Sequence, residues 1–280
     1  MSHQYLYLKL LLRNDLLLDL DEYALIDTKE YGLVCNFMGM KLASAFQPVL
    51  RPDGKVAGRE ALLRAGLLEH GEVTPDGAFE EAVRVNRVVQ FDRLVRIMHL
   101  MNHARSFAEH ELLFLNVHPR LLSSVNNHGR TFEQILHYYS VPTSLVVIEI
   151  KEAANVDEAV LTDAVNNYRS LGYRIAVDNF GAAHSSLEHV IELNPDIVKL
   201  DGTLIQTTEH SRSATTSFNQ LVERFHSAGI QVTVEGIETA TQLDIARKSG
   251  ADLLQGYYLA SPEFAACARG RLCRNGRLAA

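Results

Sequence analysis

The stretch YRIAVDNFGAAHSSLEHVIELNPDIVKLD, from Tyr173 to Asp201, limits what this chain can fold into more than any other. Two short apolar runs, Ile175 to Val177 and Ile197 to Leu200, flank a polar and helical connection. Asp178 closes the first run, and Lys199 lies near the end of the second. Strand, then loop and helix, then strand is the signature of a parallel βαβ unit. Chemistry in such units collects at the C-terminal ends of the strands.

The rest of the chain repeats that arrangement. SAFQPVL is closed by the turn Arg51-Pro52-Asp53-Gly54, and KVAGREALLR follows as its hairpin partner. Thr74-Pro75-Asp76-Gly77 opens one long helical segment running to Met101. The strands ELLFLNVHP, SLVVIEIKE, QVTVEGIE and DLLQGYYLA follow, with helices predicted at Phe132 to Tyr139, Asn155 to Leu171, Ala214 to Ala228 and Thr239 to Ser249. Asn155 and Asp157 are cap candidates, and Gly172, Gly229 and Gly250 are stop signals. Eight strand candidates, mostly alternating with helices over about 220 residues, suit an α/β fold of the (β/α)₈ TIM-barrel type. An open doubly wound sheet is the competitor, weakened because no glycine-rich phosphate loop follows a strand. The expected organisation is an N-terminal extension over 1–40, a barrel domain over 41–268 and an arginine-bearing tail over 269–280.

With 47% apolar and 22% charged residues, the chain can bury a full core and is not wholly disordered. A net charge of −7 argues against a general DNA or RNA binder, which needs a basic face. Cys35, Cys267 and Cys273 form no C-x-x-C pair and fit free thiols in a reducing cytoplasm. The apolar run Tyr5 to Leu12 is interrupted by Lys9 and is too short to span a membrane, so a soluble protein is expected.

One polar residue stands at or just past the middle of seven consecutive strands: Glu60, Asn116, Glu149, Asp178, Lys199, Glu235 and Gln255. A barrel brings these ends to one face. A single buried acid in a strand is more often a hydrogen-bonded structural residue. Seven such groups in register resist that reading, because each buried charge needs a partner. Four carboxylates and an amide oxygen suit Mg²⁺ or Mn²⁺, and two such ions would form the clamp used in phosphodiester hydrolysis. Lys199 could instead form a Schiff base, but that chemistry favours a desolvated lysine with a depressed pKa, not one held charged among acids. On residues alone, metal-dependent phosphoryl chemistry leads, aldolase-type chemistry is second and a non-catalytic binding barrel is third.

The pieces FQPVL, REALLR, LNVHP, IEIKE, VDNFG, VKLD, VEGIE and QGYYLASP occur in this order between about Ala43 and Pro262. Together they resemble the EAL domain, the bacterial cyclic di-GMP phosphodiesterase module. The resemblance implies a barrel whose first strand runs antiparallel, and hydrolysis of cyclic di-GMP to linear pGpG with two Mg²⁺ or Mn²⁺ ions. By motif, Glu60, Asn116, Glu149 and Asp178 would hold one metal, and Asp178 would bridge to a second that Glu235 also binds. Lys199 would sit by the attacking water, with Glu238 and Gln255 in support. Glu152 would anchor the loop after Asp178, while Gln47 and Arg64 would touch the ligand, Arg64 through phosphate. A homodimer through the face carrying that loop is also implied.

The departures from the family pattern centre on that loop. The family's DDFGTGYSSL is here DNFGAAHSSL, Asp178 to Leu187. Asn179 replaces an acid of the second metal site; its oxygen can coordinate but brings no charge. Ala183 replaces a loop glycine and His184 a tyrosine. His184 reads as a surface residue and His118 as a local packing variant. Gly202 and Thr203 stand where the family often has arginine and serine. The alternative to an enzyme is therefore a degenerate domain that binds cyclic di-GMP or a protein partner without cleavage.

Overall fold

The computed structural model describes residues 13, 23, 25–67, 71–124, 130–151, 158–182, 186–209 and 211–266. The short strands β1 (Ile26–Thr28) and β2 (Gly32–Phe37) form a hairpin, and β2 pairs antiparallel with the start of β3 (Met40–Leu50). Part of the expected N-terminal extension is thus hydrogen-bonded to the first barrel strand. β3 turns back at Gly54, which takes a positive φ of 85°, into β4 (Val56–Leu67). The two strands stay paired over nearly their whole length, and β5 (Gly71–Val73) adds to the far end of β4.

Two helices follow, α1 (Pro75–Arg84) and α2 (Val88–Ser106), where the sequence predicted one. The start is as expected: Thr74 accepts a hydrogen bond from the Gly77 N–H, and Pro75 occupies the first turn. The break falls at Asn86, whose left-handed φ of 58° ends the first helix, a conformation asparagine tolerates better than most residues. Apolar spacing persists across the break, so periodicity alone hid it.

The chain then runs through β6 (Leu112–Val117), α3 (Pro119–Ser124), α4 (Arg130–Tyr138), β7 (Val146–Lys151), α5 (Glu158–Ser170), β8 (Arg174–Phe180), α6 (Leu187–Leu193) and β9 (Ile197–Leu200). It finishes with α7 (Gly202–Thr208), α8 (Arg212–Ser227), β10 (Gln231–Val234), α9 (Ala240–Lys248), β11 (Leu253–Leu254) and β12 (Glu263–Phe264). Gly172, Gly229 and Gly250 all take positive φ and close their helices, as their sequence positions predicted. Cap candidates Asn155 and Asp157, and the 269–280 tail, lie outside the described residues.

Strands β3, β4, β6, β7, β8, β9, β10 and β11 close into a ring of eight, with β11 returning to pair with β3. β3 is antiparallel to both neighbours and every other adjacent pair in the ring is parallel. The fold is a TIM-type barrel with an inverted first strand.

Alternation along the strands divides the interior into levels. Phe114, Val147, Ala176, Ile197 and Leu253 pack together as an apolar plug. Two residues further along the chain from these stand Asn116, Glu149, Asp178 and Lys199 on the same strands and Gln255 just past β11. Gly58 makes room for this plug: a Cβ there would lie 2.5 Å from the Leu112 carbonyl oxygen and 2.9 Å from the Phe114 ring. Outside, α2 packs on β2, β3 and β6, and Phe225 of α8 meets Phe180 edge-on at 5.1 Å. Among the described residues no helix is long and apolar enough to cross a membrane.

Candidate active site

Directly above the apolar plug, four carboxylates surround one ammonium. Lys199 Nζ lies 2.6 Å from Glu149 Oε1, 2.9 Å from Glu235 Oε1, 3.1 Å from Glu60 Oε2 and 3.4 Å from Asp178 Oδ1. Lys199 is 1% exposed and Glu149 wholly buried. The five residues come from five strands, β4, β7, β8, β9 and the end of β10, so only the closed ring brings them together.

Amides complete the shell. Asn116 Nδ2 donates to Glu60 Oε1 at 3.1 Å and to Glu149 Oε2 at 2.9 Å. Gln255 Nε2 donates to Glu60 Oε2 at 2.7 Å and to Gln47 Oε1 at 3.2 Å, and Gln47 donates to the Ala260 carbonyl at 3.1 Å. Gln47 faces Glu60 across the β3–β4 ladder, which explains why one Gln255 amide serves both.

An ammonium has three N–H bonds to serve four carboxylates. Glu149 Oε1 is buried and closest to Nζ but has no well-aligned hydrogen bond, and Asp178 Oδ1 is the most distant of the four. The protonation equilibria record the same shortage of positive charge. Burial, with Glu60 and Asp178 nearby, pushes Glu149 well above the usual carboxylate range despite Lys199. Burial likewise raises Glu235 to about 7. Burial also acts against Glu60, but Lys199, Gln255 and Asn116 outweigh it and hold that carboxyl below its ordinary value. Burial acts against the charged form of Lys199, but Asp178, Glu149, Glu235 and Glu60 outweigh it and hold its pKa well above the ordinary value. A lysine so held is a poor Schiff-base nucleophile, which removes the aldolase alternative.

Asp178 and Asn179 sit where the β8–β9 register shifts, between Val177 and Phe180. Asn179 takes a left-handed φ of 59° there, so successive side chains do not simply alternate between the two faces. Both line a cavity of about 600 Å³ with Glu60, Asn116, Glu235 and Lys151. Its other wall is formed by Phe79 of α1, His99 of α2 and His118, whose ring stacks on Phe79 at 4.9 Å. His118 is thus a wall residue, in keeping with its expected packing role.

The donor set is oxygen-rich and anionic, the chemistry of a Mg²⁺ or Mn²⁺ site, and four carboxylates around a single ammonium leave an excess of negative charge that a cation would offset. Among the described residues, no three of these acids converge on a point of their own away from the ammonium. The Asn116 nitrogen faces the acids here; a bound cation would call for its oxygen instead.

Other expected residues lie elsewhere. Arg64 is four positions beyond Glu60, donates to the Leu63 carbonyl, and lines a second cavity of about 330 Å³ with Tyr31, Lys41 and Phe264. Glu238 is exposed, and its backbone N–H is held by Gln242 Oε1 at 2.7 Å. Glu152, Ala183 and His184 lie outside the described residues. Sequence reasoning missed Lys151 as a cavity residue. Its signal was available: it stands two places after Glu149 on one strand and therefore on the same face.

Residues 37–262 match the EAL domain family, and this chain belongs to it. It is 28% identical over 233 residues to the bifunctional diguanylate cyclase/cyclic di-GMP phosphodiesterase MucR of Pseudomonas aeruginosa, covering 79% of this chain and 33% of that protein. The chain thus spans about a third of that relative's length. It is similar to a standalone versatile EAL protein from Vibrio cholerae solved with cyclic di-GMP: 26% identity, TM-score 0.69, 82% of this chain and 95% of that one. A manganese/cyclic di-GMP complex from Klebsiella pneumoniae shares the fold: 22% identity, TM-score 0.71, 79% of this chain and 56% of that one.

Proposed function

We propose that this chain is a Mg²⁺- or Mn²⁺-dependent phosphodiesterase that opens cyclic di-GMP to linear pGpG. The observation that carries the proposal is the ring of Glu60, Glu149, Asp178 and Glu235 around a fixed ammonium at the floor of an open cavity. Structural acids in a barrel need no cavity above them. Membership of the EAL family, whose relatives here are named as cyclic di-GMP phosphodiesterases, supports that substrate class.

Glu60, Asn116, Glu149 and Asp178 are the set that would hold one divalent ion. Asp178, Asn179 and Glu235 form the set for a second, the weaker of the two because Asn179 brings no charge. Bound there, such an ion supplies a Lewis acid that lowers the pKa of water and offsets charge building on phosphate. The chain's own groups do the rest. Lys199, anchored by its acids, keeps a fixed positive charge and N–H bonds beside the point of attack. Gln255 and Gln47 hold Glu60 in place, and Glu238 and Glu152 would steady the loops around the mouth. Arg64, which here turns to the Leu63 carbonyl beside the neighbouring cavity, would have to swing to the mouth of the site to reach a phosphate. We expect a homodimer that works in the bacterial cytoplasm.

The test is incubation of purified protein with cyclic di-GMP and Mg²⁺ or Mn²⁺, with products separated by chromatography. Linear pGpG is expected from wild type and none from Lys199→Ala. Asn179 favours a second reading, a cyclic di-GMP receptor or protein-interaction module without turnover. Tight binding by calorimetry with no product under either metal would establish that reading and end the enzymatic one.

A further inference from the structure

Away from the acids, the wall of the cavity has a different character. Leu63, Phe79, Val95, Val117 and His118 line it with apolar or aromatic side chains, and His99 is set in their midst. His99 is 3% exposed, and the mechanism above does not use it.

A relay of hydrogen bonds fixes which nitrogen of that ring carries its proton. Asn102 accepts from the Leu33 N–H at 2.8 Å, and its amide nitrogen donates to the Leu33 carbonyl at 2.8 Å and to Ser44 Oγ at 3.1 Å. Ser44 Oγ is thus an acceptor there, and its own hydrogen is left for His99 Nδ1 at 2.8 Å. His99 Nδ1 then accepts, and the ring proton sits on Nε2. Burial, with the Arg64 charge nearby, lowers the imidazole pKa to about 3, so the ring is neutral at ordinary pH and keeps this tautomer. Among the described residues nothing hydrogen-bonds His99 Nε2. The Nε2 of His103 is sealed in without a partner, whereas that of His99 opens on the cavity. An N–H so placed in a largely buried ring calls for an acceptor from water or a ligand.

The two sides of the cavity suit the two parts of a nucleotide. Phosphate oxygens belong with cations at the acidic floor. A flat base belongs against Phe79, His118 and the aliphatic side chains. A neutral N–H in such a wall reads a base edge: guanine presents the O6 acceptor where adenine presents the N6 amino donor. We infer that His99 is a specificity-determining residue whose Nε2–H donates to O6 of one guanine of cyclic di-GMP, with Ser44 and Asn102 acting through it as positioning residues. This rests on the cyclic di-GMP reading. It also ties recognition to the N-terminal hairpin, since Leu33 of β2 anchors the far end of the relay.

Nitrogen–proton correlation spectra of full-length protein labelled at histidine show the tautomer directly. His99 should carry its proton on Nε2, and cyclic di-GMP should shift that resonance. Calorimetry then compares cyclic di-GMP with its adenine counterpart, cyclic di-AMP, on wild type in excess chelator, which stops metal-dependent turnover, and on Lys199→Ala with Mn²⁺. The guanine ligand should bind at least about tenfold tighter than the adenine one. His99→Phe should lose about tenfold or more in cyclic di-GMP affinity and most of that preference, and His99→Gln, whose amide can still donate, should recover part of both. Far-UV circular dichroism checks folding; if His99→Phe fails, Ser44→Ala, which frees the tautomer, should weaken cyclic di-GMP binding and narrow the preference. A proton on Nδ1, an Nε2 resonance that the ligand leaves unmoved, equal binding of the two ligands, or unchanged affinity in the variant would overturn the inference and leave the hydrolase reading standing. No cyclic di-GMP binding under either condition would remove that reading together with it.

Discussion

Raising the pH of the metal-free protein from about 6.5 to about 8.5 should cost it more stability than the same change costs Glu235→Gln. Burial holds the Glu235 carboxyl at about 7 in the folded state, against 4.5 for an ordinary glutamate. Between those values the folded chain binds more protons than the unfolded one. The contribution of Glu235 is therefore full below about pH 4.5 and is lost as pH rises through about 7. The whole shift is worth about 3 kcal/mol, of which about 1 kcal/mol remains to be lost above pH 6.5. His99 and His103 act with the opposite sign: burial lowers them to about 3 and about 4, so their contribution is lost as pH falls below 6.5. Their unfolded-state titration, centred near 6.5, still adds about 0.4 kcal/mol each across the window and offsets much of the carboxyl loss, but it is common to both proteins, so the difference between them isolates Glu235. Urea unfolding in excess chelator measures it, with wild type expected to lose about 1 kcal/mol more than Glu235→Gln across the window. Mn²⁺ should restore wild type most strongly at the upper pH, because a bound cation replaces the proton. Parallel pH slopes for the two proteins would refute the reasoning.

Two substitutions test how the frame holds the site. Asn102 acts as a strand partner for Leu33, accepting from its N–H and donating to its carbonyl, each at 2.8 Å. Asn102→Leu should strand both groups, cost about 1–3 kcal/mol for each, and speed amide exchange in β1 and β2; unchanged exchange there would show that other contacts hold the hairpin. Gly58→Ala should wedge β4 from β6, since the added methyl meets Leu112 backbone at 2.5 Å. A loss of about 1–3 kcal/mol is expected in chemical denaturation, and an unmoved midpoint would count against the packing account.

The barrel was legible because each of its strands carries an apolar run closed by turn or cap residues, a local pattern. The converging residues Glu60, Asn116, Glu149, Asp178, Lys199, Glu235 and Gln255 were legible for the same reason: one polar group interrupts each run at nearly the same place. Asn86 was not, since the apolar spacing runs past it and only the backbone dihedral records the break. β12 was also missed; two residues pairing with Phe46 and Ala45 leave no periodic trace. Lys151 was passed over because a lysine at a strand end reads as solvated; it is exposed, yet it also lines the cavity. Arg64 shows the converse. Its motif is intact, yet it donates to the Leu63 carbonyl and lines a different cavity.

The bonds that close the ring of acids join residues far apart in the chain. Lys199 reaches back 139 residues to Glu60, Gln255 reaches back 195 to the same carboxylate, and Gln47 joins Ala260 across 213. Synthesis runs from the N-terminus, so Glu60 leaves the ribosome long before any of its partners exist. Until β11 emerges and pairs with β3, water can solvate every acid of the cluster. The burial that raises Glu149 and Glu235 is complete only with that last closure. Truncation before Gln255 would accordingly yield a chain with most of its strands and none of its chemistry.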